Sequence, residues 1–228
     1  MDTVDIKIVV NSNRNFYQTS LPPLLRSLKE AGFDSEEIIT FVGGCDTADK
    51  EISKNVFALP YDSIDFTSLI ELSQNDYGAK HYFVMHDTSK VGVNFKKILY
   101  SVDPGDFEVI ALKAWPSMNI GLYRNDYLHR KSEVLLPIRN YEITPEKLQE
   151  SKIWGVENED HLMWKQQDVE ISSYSELLSC PRNGNADAGE PLDYYGNGTL
   201  RIITRYEFLD YYKIKANWER KERYVIEL

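Results

Sequence analysis

Apolar, strand-forming runs alternate with amphipathic segments through the first 92 residues, and this alternation constrains the fold more than any other feature. "DIKIVVNS" (5–12) is predicted as a buried strand, and "TSLPPLLRSLKEAGF" (19–33) as a helix that Ser20 caps and Gly32 ends. Strands that alternate with helices pair in parallel through right-handed crossovers. The sequence therefore predicts an α/β protein with a three-layer sandwich. The other segments of this pattern are strands "IITFVGG" (38–44), "NVFALPY" (55–61) and "KHYFVMHDT" (80–88), and a helix "DFTSLIELSQNDYG" (65–78) closed by Gly78.

Polar residues follow three of these strands. In open α/β sheets, ligands bind outside the carboxyl ends of the strands, so these ends are expected to share one crevice. Asn11, Ser12, Asn13 and Arg14, at the end of the first strand and just after it, are candidates to hydrogen-bond a base and a ribose. The other two strand ends are "GGCD" at 43–46 and "HDT" at 86–88.

The charge of the chain restricts its partners. A formal net charge of −10 and a pI of about 5.0 disfavour a broad nucleic-acid or anionic-membrane surface. An anionic ligand must then be held locally, by a cation or by a few directed donors. Two cysteines are too few for a disulfide framework, and no run approaches the roughly 20 apolar residues of a membrane helix. We therefore expect a soluble, cytoplasmic protein.

The familiar nucleotide and hydrolase motifs are missing from the sequence. It contains no G-x-G-x-x-G after the first strand, no G-x-x-x-x-G-K-[ST], no G-x-S-x-G and no H-E-x-x-H. Dinucleotide oxidoreductases, P-loop NTPases, common hydrolases and zincins are thereby disfavoured. Catalysis must instead use carboxylates, a hard metal ion, or both. A diphosphate leaving group needs a cation on its oxygens, and Mg²⁺ or Mn²⁺ prefers carboxylate ligands.

Three segments together resemble the GT-A glycosyltransferases, which transfer a sugar from a nucleotide diphosphate sugar. They are "VVNSNRNFYQTSLPPLLRSL" (9–28), "YFVMHDT" (82–88) and "WGVENEDHLMW" (154–164). The resemblance covers roughly 160 residues in the family's order and is closest to small virus-encoded or bacterial members. It implies a mixed central sheet, a nucleotide-sugar donor with UDP favoured, a glycan or other hydroxyl acceptor, and inverting transfer. If the protein is viral, host cytoplasm is the expected location.

The resemblance also implies roles for individual residues. Asp87 takes the place of the family's D-x-D motif, which binds metal and diphosphate, and Thr88 lies beside it. "HDT" has one carboxylate where D-x-D has two, so His86 or His161 must complete any Mn²⁺ or Mg²⁺ site. Asp160, with Glu159 next, is the candidate base that deprotonates the acceptor. Acids in a first helical turn also complement the helix dipole, and "HDT" equally suits a simple turn.

Two further sites are predicted in the second half of the chain. Asn119 and Gly121 are candidates to contact the sugar, although Gly121 is equally expected from close backbone packing. The glycine-rich segment 180–198 is predicted to be an irregular, mobile loop. With Tyr195 and Arg201 it is a candidate lid over the diphosphate.

We expect one domain over residues 1–228, with a nucleotide-binding half (1–92) and an acceptor-side half (93–228). The C-terminal segment from Thr199 to Tyr224 is locally basic in an acidic protein. Two alternatives to a glycosyltransferase remain open. One is a sugar nucleotidyltransferase, which usually carries a glycine-rich loop that "NSNRNFYQTS" lacks. The other is a glycan- or nucleotide-binding module of the same fold without catalysis.

Overall fold

The computed structural model describes residues 5–46, 50–112, 119–140, 170–178, 185–187 and 201–216. Twelve strands lie within these ranges. They are β1 Ile6–Asn13, β2 Ile38–Gly43, β3 Lys50–Ser53, β4 Val56–Ala58, β5 His81–His86, β6 Ser89–Val91, β7 Val109–Ala111, β8 Gly121–Arg124, β9 Ile171–Ser173, β10 Asn185–Asp187, β11 Arg201–Tyr206 and β12 Tyr211–Ala216.

Six α-helices lie between these strands. They are α1 Tyr17–Glu30, α2 Thr67–Gln74, α3 Phe95–Leu99, α4 Asn125–Arg130, α5 Ser132–Leu135 and α6 Tyr174–Leu177. Four short 3-10 helices complete the described elements, at Ser35–Glu37, Ile64–Phe66, Leu136–Asn140 and Glu207–Leu209. No helix among the described residues is long and apolar enough to span a membrane.

The central sheet has eight strands in the order β3-β4-β2-β1-β5-β8-β7-β9. Strands β4, β2, β1 and β5 run parallel, whereas β8 is antiparallel to both of its neighbours. Strand β9 pairs in parallel with β7, and β3 is antiparallel to β4 at the opposite edge. The predicted α/β class with a mixed central sheet is therefore confirmed.

Helices cover both faces of this sheet because successive strand residues point to opposite sides. Leu24 and Leu28 of α1 share one core with Ile8 of β1. Leu69 of α2 shares the other core with Val9, the next residue of β1. The face that carries α1 is called the α1 face below, and the opposite one the α2 face. The two faces give the predicted three-layer arrangement.

The helix ends differ from the sequence prediction. Helix α1 begins at Tyr17, so Ser20 lies inside it and does not cap it. Proline favours the first turn of a helix, so Pro22 in the sequence favours a start close to residue 20, but the structure has Pro22 and Pro23 inside α1. In the structure the Ser20 hydroxyl instead contacts the carbonyl of Phe16, over 2.8 Å. Helix α2 likewise ends at Gln74, and Gly78, with φ +72°, belongs to the turn before β5.

A second sheet has four strands in the order β10-β11-β12-β6. Strand β10 lies within the segment 180–198, which was predicted to be an irregular loop, so that prediction is wrong for Asn185–Asp187. These residues form a strand because their backbone pairs antiparallel with Ile203–Arg205. The rest of the segment 180–198 lies outside the described residues. Strand β6, which follows "HDT" directly, joins this sheet to the nucleotide-binding half.

Candidate active site

The order of the parallel strands reverses between β1 and β5. The chain leaves β1 for β2 and β4 on one side, then returns through α2 to β5 on the other side. A crevice opens at the carboxyl ends of the strands at such a switch point. Asn11 and His86 are register partners there, and the Asp87 amide donates to the Asn11 carbonyl over 3.0 Å. The structure thus brings the first and third predicted strand ends together.

Asp87 is held at this crevice by hydroxyl groups from two elements. Its Oδ2 accepts hydrogen bonds from Ser12 on β1 and from Ser20 on α1, each over 2.5 Å. Asp87 is 7 % exposed, and burial raises the pKa of its carboxyl, against the effect of these hydrogen bonds and of the Thr88 amide. The negative charge of nearby Asp62 raises the pKa further. Asp87 therefore joins β1, α1 and β5 at one point.

His86 lies on the other side of the sheet from the Asp87 carboxyl. Its Nε2 is 3.6 Å from Oδ1 of Asp65, which precedes α2 on the α2 face. Oδ2 of Asp65 accepts a hydrogen bond from the amide of Asn119 over 2.6 Å, and Asp65 and Asn119 are both buried. Asn119, predicted to contact sugar, thus lies at the same strand ends as His86.

Asp65 is a site residue that the sequence reasoning missed. It was assigned to the start of a helix in "DFTSLIELSQNDYG", where an acid is expected for dipole reasons alone. Its position in the sequence was the signal that could have identified it. Asp65 comes after the strand "NVFALPY", so it is expected at the carboxyl edge of the sheet. Its burial beside an amide and an imidazole could be seen only after folding.

The geometry separates the two predicted metal ligands, His86 and Asp87. His86 and Asp87 direct their side chains to opposite faces, as consecutive residues at the end of a strand do, so they do not form a joint site. Within the ranges that the structure describes, no three His, Cys, Asp or Glu residues are grouped to hold a metal ion. Of the two predicted ligands, only Asp87 faces Ser12 and α1. His161, the other suggested ligand, lies outside the described residues.

The residues predicted to contact the nucleoside differ in burial: Asn11 and Ser12 are buried, Asn13 is half-buried and Arg14 is exposed. Asn11 is buried, and its side-chain oxygen accepts a hydrogen bond from the Ser68 amide in the first turn of α2, over 2.9 Å. The Asn13 oxygen accepts from the Asn15 amide over 3.0 Å. Arg14 is exposed and pairs with Asp46 over 2.6 Å. Asn11 therefore has a structural role at the end of β1, while Asn13 and Arg14 are accessible at the crevice.

Gly121 lies where two backbones approach closely. A Cβ at this position would be 2.5 Å from the carbonyl oxygen of Ile110 and 2.9 Å from the Cα of Ala111. Gly121 pairs with Ala111 on one side and with Val84 on the other. Close packing of β7 against β8 thus accounts for this glycine without a sugar contact.

Several predicted site residues lie outside the described part of the chain. These are the candidate bases Asp160 and Glu159, and Tyr195 of the predicted lid. Arg201 is described only as the first residue of β11, where it pairs with Ala216.

No protein-family model matches the chain, and no curated protein matches it in sequence. Solved structures similar to it include the galactosyltransferase LgtC in complex with donor and acceptor sugar analogues. That match has 12 % identity and a TM-score of 0.45, over 73 % of this chain and 72 % of LgtC.

Two further similar structures were found. A glycosyltransferase involved in glycosylation of the PBCV-1 major capsid is 11 % identical, with a TM-score of 0.43, over 73 % of this chain and 81 % of that one. The glycosyltransferase GlyE of Streptococcus pneumoniae TIGR4 is 10 % identical, with a TM-score of 0.44, over 75 % of this chain and 45 % of GlyE. All three are glycosyltransferases, the class that the sequence resemblance named, and likeness of this degree assigns no residue roles.

Proposed function

We propose that this protein is a glycosyltransferase that moves a sugar from a nucleotide diphosphate sugar to a hydroxyl group of a glycan or other acceptor. The observation that carries the proposal is the meeting of two segments at the β1–β5 switch point. Asn11–Arg14 end the first strand, and His86–Asp87–Thr88 end the fourth parallel strand of the sheet. A crevice of this kind suits a nucleotide ligand because it offers both side chains and backbone groups of two strand ends.

The donor would lie across these two strand ends. Asn13 and Arg14, which remain accessible, would contact the nucleoside, and UDP is the favoured nucleotide. Thr88 and Asp87 would lie at the diphosphate, and Asn119 would face the sugar. Asp87 is the described residue that would hold a Mg²⁺ or Mn²⁺ ion, which when bound would neutralise charge on the leaving diphosphate.

Inverting transfer needs a carboxylate on the side opposite the leaving group. This carboxylate takes the proton of the acceptor hydroxyl. Asp160 is our candidate for this base, with Glu159 next. Tyr195 and Arg201 are kept as candidate lid residues. An acceptor hydroxyl that loses its proton to Asp160 would attack the anomeric carbon while the bond to the diphosphate oxygen breaks.

One observation favours a second candidate, a non-catalytic nucleotide- or glycan-binding module. Asp87 is buried and accepts two hydroxyl hydrogen bonds, an arrangement that also suits a purely structural carboxyl. A binding module would bind nucleotide but release none from a nucleotide sugar. Turnover is therefore the property that separates the two candidates.

The test combines binding with turnover. A ligand at 100 times its dissociation constant stabilises a protein by about 2.7 kcal/mol, so UDP with Mn²⁺ should raise the melting temperature measurably. Slow release of free UDP from UDP-sugars, abolished by Asp160→Asn, is the expected result for a transferase. Stabilisation with no release in either protein would favour the binding module. No stabilisation by UDP, GDP, ADP or TDP would overturn both the transferase and the nucleotide-binding module.

A further inference from the structure

Arg139 is a basic residue that has no role in the site described above. It lies in the 3-10 helix Leu136–Asn140 and is half-buried. Its guanidinium carbon is 4.4 Å from the centre of the Tyr61 ring, a distance at which a cation is attracted to an aromatic face. Among the described residues, no carboxylate pairs with this guanidinium. Its N–H groups are therefore available to a ligand.

Backbone hydrogen bonds place Tyr61 at the carboxyl edge of the central sheet. Tyr61 follows β4, and its carbonyl accepts a hydrogen bond from the Gly44 amide over 2.9 Å, just after β2. The carbonyl of Gly43, the last residue of β2, accepts the Arg14 amide over 2.9 Å, just after β1. These bonds connect the ends of β4, β2 and β1 in sequence. Arg139, through Tyr61, therefore lies at the same edge of the sheet as Arg14.

Buried contacts hold both partners of this ring contact in place. Ile138, the residue before Arg139, packs with Tyr61 in the core of the α2 face. The carbonyl of Ile138 accepts a hydrogen bond from the buried Ser63 hydroxyl over 3.2 Å. The Tyr61 hydroxyl donates to Glu71 of α2 over 3.1 Å, which fixes the ring. The guanidinium of Arg139 is therefore held at this edge by packed elements on the α2 face.

The order of the strands relates Arg139 to the two ends of a bound nucleotide. Along the carboxyl edge the parallel strands follow the order β4-β2-β1-β5. In the proposed donor site, Asp87 after β5 is at the diphosphate and Arg14 after β1 is at the nucleoside. The end of β2 is two strand spacings, about 10 Å, from the end of β5. The base is the end of a nucleotide far from its diphosphate, so it extends toward β2, where Tyr61 and Arg139 lie.

The chemistry of a guanidinium limits which base it can bind. It carries five N–H donors in a planar fork and no acceptor, so it needs a partner with acceptor atoms. Uracil, thymine and guanine carry a carbonyl oxygen where cytosine and adenine carry an amino group, which is itself a donor. We propose that Arg139, held on the Tyr61 ring, binds the donor base and selects uracil, thymine or guanine over cytosine and adenine. The inference rests on the proposed function, because it concerns the base of that donor.

The experiment measures UDP and CDP binding by calorimetry in the full chain with Mn²⁺. Arg139→Met removes the fork and the charge, whereas Arg139→Lys keeps the charge and loses the fork. Arg26→Met is the matched control, because Arg26 is exposed and lies about 9 Å further along α1 than Ser20. Thermal melting verifies that each variant is folded. If UDP does not bind, GDP or TDP replaces it, and ADP is measured beside CDP.

The expected result is UDP binding that weakens about tenfold to a hundredfold in both Arg139 variants, the range for a hydrogen bond to a charged group. Wild type should prefer UDP to CDP, and Arg139→Met should narrow that preference, while Arg26→Met stays close to wild type.

Three results would overturn this inference and leave the proposed function standing. They are equal binding of UDP and CDP by wild type, binding of ADP or CDP alone, and wild-type UDP affinity in either Arg139 variant. Full affinity in Arg139→Lys alone would mean that the residue contributes only its charge, as for a diphosphate contact. If no nucleoside diphosphate bound to the wild-type protein, the proposed function itself would be overturned.

Discussion

The Ser20 hydroxyl of α1 lies 2.5 Å from Oδ2 of Asp87, at the end of β5. This contact joins residues 67 positions apart, and Ser12 contacts the same oxygen from β1. Helix α1, strand β1 and strand β5 therefore meet at one carboxyl group. Because these elements border the crevice, the position of Asp87 is linked to the positions of the residues that would contact a nucleoside.

Removing either hydroxyl should destabilise the protein. Ser12→Ala or Ser20→Ala leaves a buried carboxyl with one hydrogen-bond donor fewer, which costs about 1 to 3 kcal/mol in the free energy of unfolding. Urea denaturation followed by circular dichroism measures the loss. Ser101→Ala is the control, because Ser101 is exposed and should change stability by less than about 0.5 kcal/mol. If all three variants had the same free energy of unfolding, the hydrogen bonds to Asp87 would not contribute to the stability of the protein.

His81 should make stability depend on pH. His81 is 2 % exposed, neither of its ring nitrogens has a hydrogen-bond partner among the described residues, and burial lowers its pKa below the usual 6.5. In the unfolded chain the His81 imidazole therefore takes up a proton near pH 6.5, whereas in the folded chain it does so only at a lower pH. The stabilising effect of this difference is present above that pH and is lost as the pH falls through the lowered folded value.

His81→Leu removes this penalty. We expect it to be neutral or stabilising by about 1 kcal/mol at neutral pH, since it removes two unsatisfied buried nitrogens. Its advantage over wild type in unfolding free energy should widen as the pH is lowered from about 7.5 to about 5.5, around the reference value. His129→Leu is the control, because Nδ1 of His129 lies 3.0 Å from the Ser73 carbonyl. A pH-independent difference for His81→Leu would contradict the prediction.

Gly121→Ala tests close packing against a role in sugar binding. The added methyl group would overlap the Ile110 carbonyl oxygen, so β7 and β8 must separate, at a cost of about 1 to 3 kcal/mol. Gly105→Ala is the comparison, since it has a positive φ of +50° but nothing within 4 Å of the new methyl group. It should cost about 1 kcal/mol from backbone strain alone. If Gly121→Ala kept full stability and lost only donor turnover, the glycine would have to be assigned to sugar binding instead of close packing.

Asp160→Asn should separate chemistry from binding. Loss of a general base typically lowers turnover about 10²- to 10⁴-fold, while the affinity for UDP should change less than about twofold. Release of nucleotide from UDP-sugar in the presence of an acceptor measures the first quantity, and calorimetry the second. Glu159→Gln is the neighbouring control and should retain most of the turnover. A larger loss in Glu159→Gln than in Asp160→Asn would exchange the two roles.

The part of the site that follows from the order of strands and helices along the chain was predictable from the sequence. Asn11 and Asp87 were placed at one crevice because strand ends can be recognised where apolar runs stop. The orientation of single side chains was not predictable. His86 and Asp87 were expected to act together, yet alternation at the end of β5 sends them to opposite faces. Asp65 was overlooked because its burial depends on Asn119, which is 54 residues away.

The sequence by itself determined the α/β class, the main strand–helix alternation and the strand ends that border the crevice, because periodicity and turn residues are local properties. Only the tertiary structure decided which polar groups meet there. Ser20 was expected to cap a helix and instead contacts Asp87, and Asp65 was assigned to the start of a helix and instead contacts Asn119 and lies near His86. Such contacts depend on sheet register and on helix packing across many residues of sequence, which no local pattern encodes.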